Sequence, residues 1–178
     1  MDFNKQLFDA CFERAPEKVC ASLNAGADAN AVMLPSYDTS PIYNDMEGMC
    51  PLMLFLKRMN PFTEQDVKDI LPALQCLLDH GADINCIVTQ IISKDKSCTF
   101  RWTPLTFSYH VGNLILMEFL LSHGANPNLL RYDDGGTFLD AVNYGYVYDE
   151  TPEAEARTDR IIQLLKKYGA KSGWHKEI

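Results

Sequence analysis

Six cysteines are the most reactive side chains in this sequence of 178 residues. They lie at positions 11, 20, 50, 76, 86 and 98, and none of them forms a C-x-x-C pair. No grouping of cysteines and histidines has the spacing of a zinc ligand set. Cys11, Cys20 and Cys76 fall among apolar residues of predicted helices, where a thiol packs as a small hydrophobic group. The pattern therefore predicts free thiols with a packing role and no bound metal.

The four histidines offer little for catalysis. His80 and His123 each directly precede a glycine, at the end of a predicted helix, where an imidazole interacts favourably with the helix dipole. His110 follows Tyr109 on a predicted helix and is expected to contact a partner at the surface, and His175 belongs to the terminal tail. These positions predict structural or contact roles.

An acidic cluster could in principle hold a metal or form a pair of catalytic carboxylates. It comprises Asp149, Glu150, Glu153 and Glu155. Such chemistry needs a pocket, which nothing in the sequence indicates, so a solvated loop is favoured. The phosphate-loop, nucleophile-elbow, metalloprotease and dinucleotide signatures are absent from the sequence. We therefore predict no enzyme and no cofactor.

One short phrase recurs four times and supplies the elements that would position these side chains. Each copy places a glycine after an apolar stripe with helical spacing, and glycine readily adopts the left-handed conformation that ends a helix. A helix start precedes the third copy, with Thr103 as the N-cap and Pro104 in the first turn. Weaker starts lie at 50–52 and 137–139. The four phrases are residues 23–30, 78–85, 121–128 and 166–171.

Together these phrases resemble the ankyrin repeat family, whose pattern runs from T-P-L-H-x-A-A to a helix ending in G-A-D-x-N over about 33 residues. The resemblance covers nearly the whole chain, with repeats at approximately 1–30, 48–85, 101–128 and 135–171. It implies a single all-α domain, a solenoid of four helix-turn-helix repeats with short β-hairpin loops and several insertions. It also implies a function in binding proteins.

The departures from the family pattern lie at the helix starts. The threonine of the pattern is replaced by Lys5 and Cys50 in the first two repeats, so we expect helix-start hydrogen bonds to be missing there. These repeats should be less stable than the third. The histidine of the pattern is replaced throughout, by Phe8, Met53, Thr106 and Asp140.

Four insertions of about ten residues interrupt the repeat spacing. Residues 31–49 and 86–101 enlarge hairpin loops beside the concave face, and residues 59–68 and 145–159 join first to second helices. The second insertion contains β-branched and aromatic runs that predict two strands around a turn at Lys94, Asp95 and Lys96. We call this insertion, residues 86–101, the finger.

Pro72 has two interpretations. The segment that begins at Thr63 has the signature of a capped helical turn, which Pro72 would then interrupt or kink. Alternatively, Pro72 is the first-turn residue of the regular second helix.

Composition limits the partners. An apolar content of 47% with 22% charged residues is that of a globular domain. A net charge of −8 disfavours nucleic acid and favours a partner with a basic surface. No apolar run is long enough to span a membrane and no secretory signal is recognisable, which predicts a cytoplasmic protein.

The sequence therefore predicts a protein-interaction module that binds through its concave face and hairpin tips. A sharper hypothesis is an inhibitor, such as an immunity-type protein that neutralises a cognate toxic enzyme. The alternatives are a microbial effector or adaptor that sequesters a host protein, a structural scaffold, and an enzyme subunit that uses the acidic insertion. The predicted partner-binding residues are Asp9, Phe12, Glu13, Leu54, Lys57, Arg58, Phe107, His110, Tyr144, Lys94 and Lys96.

Overall fold

The computed structural model describes residues 2–33, 48–58, 63–91, 99–129, 135–143 and 151–173. Over these ranges the chain forms eight α-helices and one two-stranded sheet, so the mainly helical prediction is confirmed. The elements are α1 (Phe3–Glu13), α2 (Pro16–Asn24), α3 (Pro51–Lys57), α4 (Glu64–Asp79), β1 (Val88–Ile91), β2 (Thr99–Trp102), α5 (Pro104–His110), α6 (Leu114–Ser122), α7 (Phe138–Asn143) and α8 (Pro152–Lys167).

The helices follow one another as pairs and line up in two rows. α1 packs on α2, α3 is followed by α4, α5 packs on α6, and α7 packs on α8. Across the pairs, α3 contacts both α1 and α5, and α4 contacts both α2 and α6. The Tyr109 ring of α5 meets the Phe138 ring of α7 at 5.4 Å between centroids. We call α1, α3, α5 and α7 the first-helix row.

A leucine at the same place in every first helix holds this row together. Each of the four is at most 4% exposed, and burying a leucine side chain contributes about 1.5 to 3 kcal/mol. The recurring leucine of the sequence pattern is therefore the recurring core position of the fold. The four residues are Leu7, Leu52, Leu105 and Leu139.

The helix starts differ in how their backbone N–H groups are satisfied. In α5 the Thr103 hydroxyl accepts a hydrogen bond from the Thr106 N–H at 3.1 Å, and the Thr106 hydroxyl accepts one from the Thr103 N–H at 2.9 Å. This reciprocal capping box satisfies two N–H groups that would otherwise lack partners. No described side chain caps α3, which follows Cys50, as predicted.

The first helix corrects one prediction. α1 begins at Phe3, and the Asp2 carboxylate accepts a hydrogen bond from the Lys5 N–H at 3.0 Å. Lys5 therefore lies inside the helix and does not start it. The expectation that the first repeat lacks a helix-start hydrogen bond is wrong, because Asp2 is a strong N-cap residue just upstream of the expected start.

The second helices end at the predicted glycines. Gly26 has φ +103° and Gly124 has φ +95°, a conformation that only glycine adopts without strain. The next residue then reaches back to the helix: the Ala27 N–H donates to the Ser22 carbonyl at 3.1 Å, and the Ala125 N–H donates to the Leu120 carbonyl at 3.0 Å. These bonds satisfy carbonyls of the last helical turn.

The asparagine that closes each of the first three phrases joins neighbouring turns. The Asn30 amide donates to the Gly81 carbonyl at 2.7 Å and its oxygen accepts from the Asp83 N–H at 2.7 Å. Asn85 makes the same two bonds to the turn of α6, and Asn128 makes them to the segment after α8. These residues therefore couple successive helix pairs as well as forming polar turns.

The two predicted strands are confirmed. β1 and β2 pair antiparallel, with Val88 opposite Trp102 and Ile91 opposite Thr99. Cross-strand pairing of β-branched and aromatic residues stabilises two antiparallel strands of this kind. The predicted turn at Lys94, Asp95 and Lys96 lies outside the described residues.

Pro72 lies inside α4, which runs continuously through it. The helix begins at Glu64 after the N-cap Thr63, whose hydroxyl accepts from the Asp66 N–H at 3.1 Å. The insertion therefore extends the second helix by capped turns, and the interpretation of Pro72 as a first-turn residue is wrong. Among the described residues, no helix is long and apolar enough to cross a bilayer.

Candidate protein-binding site

Three aromatic side chains meet where the finger joins α5. Trp102 ends β2, while Phe107 and His110 lie on α5. The Trp102 ring meets His110 at 5.0 Å and Phe107 at 6.0 Å between centroids, both edge to face. Such pairs contribute about 0.5 to 1.5 kcal/mol beyond the burial of their area. We call these three residues the aromatic cluster.

Local sequence dictates this arrangement. The capping box at Thr103 starts α5 directly after β2, so the strand carries Trp102 to the first turn of the helix. Phe107 and His110 are three residues apart and therefore share one helix face. His110 is exposed, Trp102 is half-buried and Phe107 is 9% exposed. The cluster thus has a buried base at Phe107 and an accessible rim at His110.

Sequence reasoning selected Phe107 and His110 but missed Trp102 as a contact residue. Its place directly before the helix start made it a strand residue in the sequence analysis. Tryptophan and arginine are enriched among the residues that dominate binding energy, and Arg101 beside it is exposed on β2. The adjacent Arg101 and Trp102 could therefore have marked the base of the finger as a contact site from the sequence alone.

Phe12 and Arg58, both predicted contacts, are brought together by the first-helix row. The Arg58 guanidinium lies 3.8 Å from the centre of the Phe12 ring, and Arg58 Nε donates to the Phe12 carbonyl at 3.3 Å. This cation–π contact joins the ends of α1 and α3. Both side chains are half-buried, so a partner would meet them as a joined pair.

Asp9 and Glu13 lie on another surface. Both are exposed and form ion pairs, Asp9 with Lys5 at 2.9 Å and Glu13 with Lys18 at 2.7 Å. They line a depression between α1 and α2 together with Gln6, Ala10, Lys18, Ala21 and Ser22. Exposed pairs of this kind contribute little to stability. The structure therefore separates Asp9 and Glu13 from the aromatic cluster.

Leu54 is a correction to the predicted contact set. Its exposure is 0%, because α3 lies between α1 and α5 and this leucine belongs to the core. A partner cannot reach it in the folded chain. Lys57, at the end of α3, is half-buried. Tyr144, Lys94 and Lys96 lie outside the described residues.

The histidines near the stop glycines have the predicted role. His80 Nδ1 lies 2.9 Å from the Cys76 carbonyl, and His123 Nδ1 lies 2.8 Å from the Phe119 carbonyl. A carbonyl can only accept, so each imidazole donates from Nδ1. Both residues close the last turn of a second helix. His175 lies outside the described residues.

The acidic insertion is described only in part. Glu153 and Glu155 are exposed in the first turn of α8, where negative charge interacts favourably with the helix dipole. Asp149 and Glu150 lie outside the described residues. Within the described ranges, no group of three or more histidine, cysteine or acidic side chains is placed to hold a metal ion.

Comparison with known families identifies one segment. Residues 100–132 match the family model for the ankyrin repeat. The match contains α5, α6 and the turn that follows, and over these residues it confirms the resemblance that the sequence phrases indicated. Ankyrin repeats are generally protein–protein interaction modules. A search of curated proteins finds no significant match to the chain.

Proposed function

We propose that this ankyrin-repeat chain is a non-catalytic binding module for another protein, and that the aromatic cluster is the centre of its contact surface. The observation that carries this proposal is the cluster itself. An exposed His110 and a half-buried Trp102 stand over the buried Phe107 at the base of the finger. Aromatic side chains already held by their neighbours lose little conformational freedom on binding.

The proposal takes the four helix pairs as four stacked repeats. Two recurring features support this architecture. The stop glycine has positive φ in each second helix, and the closing asparagine of each of the first three pairs bonds to the next turn. Stacked repeats produce a continuous face from their first helices. We infer that Lys57, Arg58, Phe107 and His110, which lie on or directly after first helices, belong to such a face.

The remaining predicted contacts are included in the proposed binding set. Lys94 and Lys96 belong to the finger and Tyr144 follows α7, so each adjoins the first-helix row in the sequence. Asp9 and Glu13 would form a secondary contact at the α1–α2 depression. Phe12 contributes through its stacked pair with Arg58.

The net charge of −8 favours a partner whose docking surface is basic, because complementary charge accelerates association. An inhibitor that covers the working surface of a basic enzyme, as an immunity-type protein does, fits this charge. A microbial effector or adaptor that sequesters a host protein would use the same face. We place the function in the cytoplasm.

Site-specific photo-crosslinking tests the proposal directly. A photoreactive amino acid at position 110 should yield one dominant crosslinked protein in cells of the native organism. The matched control is position 118, where Glu118 is also exposed but lies on α6 of the same repeat. The proposal fails if position 118 captures the same protein as efficiently, or if neither position captures any. Loss of an enzymatic activity when the captured protein is bound would assign the inhibitor role.

A further inference from the structure

Cys50 and Cys86 are in direct contact, although they are 36 residues apart in the sequence. Their sulfur atoms lie 2.9 Å apart, and a disulfide bond is about 2.05 Å long. The two atoms would therefore need to approach by less than about 1 Å to bond. Both side chains are half-buried, so each retains some accessible surface.

Each of the two cysteines lies just before a helix or a strand. Cys50 directly precedes α3. Cys86 follows Asn85, which bonds to the turn of the next helix pair, and it lies two residues before β1. A bond between the sulfurs would fasten the base of the finger to the start of α3.

The contact also distinguishes the chemistry of the two thiols. A hydrogen bond from the Cys86 thiol lowers the pKa of Cys50, although burial opposes this shift. The same hydrogen bond, together with burial, raises the pKa of Cys86. Because the thiolate is the nucleophile, Cys50 is the thiol that reacts first and Cys86 is the one that resolves.

We propose that Cys50 and Cys86 form a reversible disulfide by exchange with a small-molecule disulfide such as oxidised glutathione. The Cys50 thiolate attacks one glutathione sulfur, forms a mixed disulfide and releases a glutathione thiolate. That thiolate takes the proton of Cys86. The Cys86 sulfur then attacks Cys50, closes the protein disulfide and releases the second glutathione. Two protein thiols are oxidised by two electrons, and one oxidised glutathione is reduced to two thiols.

A second pair of cysteines provides a matched control. Cys20 on α2 and Cys76 on α4 also interact through their side chains, and burial, followed by the contact with Cys20, raises the pKa of Cys76 to about 12. Cys76 is therefore protonated at neutral pH and reacts slowly. Cys11 is fully buried, and burial raises the pKa of its thiol too.

The experiment treats the full chain with oxidised glutathione, blocks the remaining thiols and maps the linked peptides by mass spectrometry. We expect a peptide that links Cys50 to Cys86, absent after dithiothreitol. Cys76→Ser should retain this link. Cys86→Ser should leave Cys50 as a stable glutathione adduct, because no resolving thiol remains. The wild-type melting temperature should rise by about 10 °C on oxidation, since the bond restricts the unfolded chain.

Three results would overturn the proposal. One is glutathione addition to wild-type Cys50 without a link to Cys86. Another is preferential linkage of Cys20 to Cys76, and the third is a link only between two chains. Peptide mapping of the wild-type protein decides among these results even if a serine variant folds poorly. The proposal rests on the thiol geometry and is independent of any partner protein.

Discussion

The second and third helix pairs share a core but differ at their helix starts. Leu52 in α3 and Leu105 in α5 are equally buried, and α4 and α6 end at the same kind of glycine turn. α5 has a reciprocal cap from Thr103 and Thr106, whereas α3 follows Cys50 and has no described side-chain cap. The apolar positions and stop glycines therefore maintain the fold, while the helix-start position can be used for other chemistry.

The largest expected loss of stability comes from truncating core leucines, and it tests whether the second and third helix pairs share a core. Leu77 and Leu120 occupy equivalent places, since the carbonyl of each accepts from the alanine after its stop glycine. Both are 0% exposed. Substituting either by alanine should cost about 2 to 5 kcal/mol, because each leaves a cavity in a close-packed core. Chemical denaturation measures both, and a loss below about 1 kcal/mol for either would refute the shared core.

The start of α7, in the fourth helix pair, is stabilised by an ionised side chain. The Asp140 carboxylate is 1% exposed and accepts hydrogen bonds from the Thr137 N–H at 2.7 Å and the Gly173 N–H at 2.6 Å. The Ser172 hydroxyl donates to its other oxygen at 2.5 Å. Burial opposes ionisation, but these donors outweigh it and lower the pKa of Asp140 to about 2.

A lowered folded-state pKa means that the charged form stabilises the fold. This contribution, about 2 kcal/mol, is present above the unfolded pKa near 3.8 and is lost as the pH falls towards 2. Asp140→Asn should lower the free energy of unfolding by a similar amount at pH 7. The NH₂ group of the asparagine amide is itself a donor, so it cannot accept the hydrogen bonds that the carboxylate accepts. Denaturation at pH 7 and at successively lower pH measures both effects. Equal acid sensitivity of the variant and the wild type below pH about 4 would contradict the assignment to Asp140.

The helix starts themselves should differ by about 1 kcal/mol. Thr103→Ala removes a capping hydroxyl and should cost about that amount. Cys50→Ala removes a thiol and no hydroxyl or carboxylate cap, so under reducing conditions its cost should be smaller. Urea unfolding of the two variants in parallel measures the difference. The comparison of starts is wrong if the Cys50 variant loses more stability than the Thr103 variant.

The smallest effect concerns a surface ion pair between the third and fourth helix pairs. Lys167 Nζ lies 3.1 Å from the Glu118 carboxylate, and both side chains are more than half exposed. Lys167→Ala should therefore change stability by less than about 1 kcal/mol. A larger loss in thermal unfolding would show that charges, and not only asparagines and the core, couple the pairs.

The features that recur could be predicted from the sequence. Stop glycines such as Gly124 and start signals such as Thr103-Pro104 act locally, and so they located the helices of the third repeat. The strands of the finger followed from their β-branched and aromatic residues. The continuous helix through Pro72 depends on tertiary packing, which can override the helix-breaking tendency of an exposed proline.

The candidate site was predicted less completely because it depends on contacts between elements. Helical spacing selected Phe107 and His110, but the approach of Trp102 requires the path of β2. The burial of Leu54 requires the helices on either side of α3. The contact between Cys50 and Cys86 joins the residue before α3 to the base of the finger, 36 residues along the chain, and no spacing rule encodes it.

The most direct test of the account is the affinity of the crosslinked partner for two variants of the same repeat. His110→Ala alters the aromatic cluster on α5, and Glu118→Ala alters a site on α6 that is also exposed. We predict that His110→Ala weakens binding at least about tenfold, or roughly 1.4 kcal/mol, with a melting temperature only a few degrees lower, and that Glu118→Ala leaves the dissociation constant unchanged. Unchanged affinity for His110→Ala, with the loss confined to Glu118→Ala, would contradict the account.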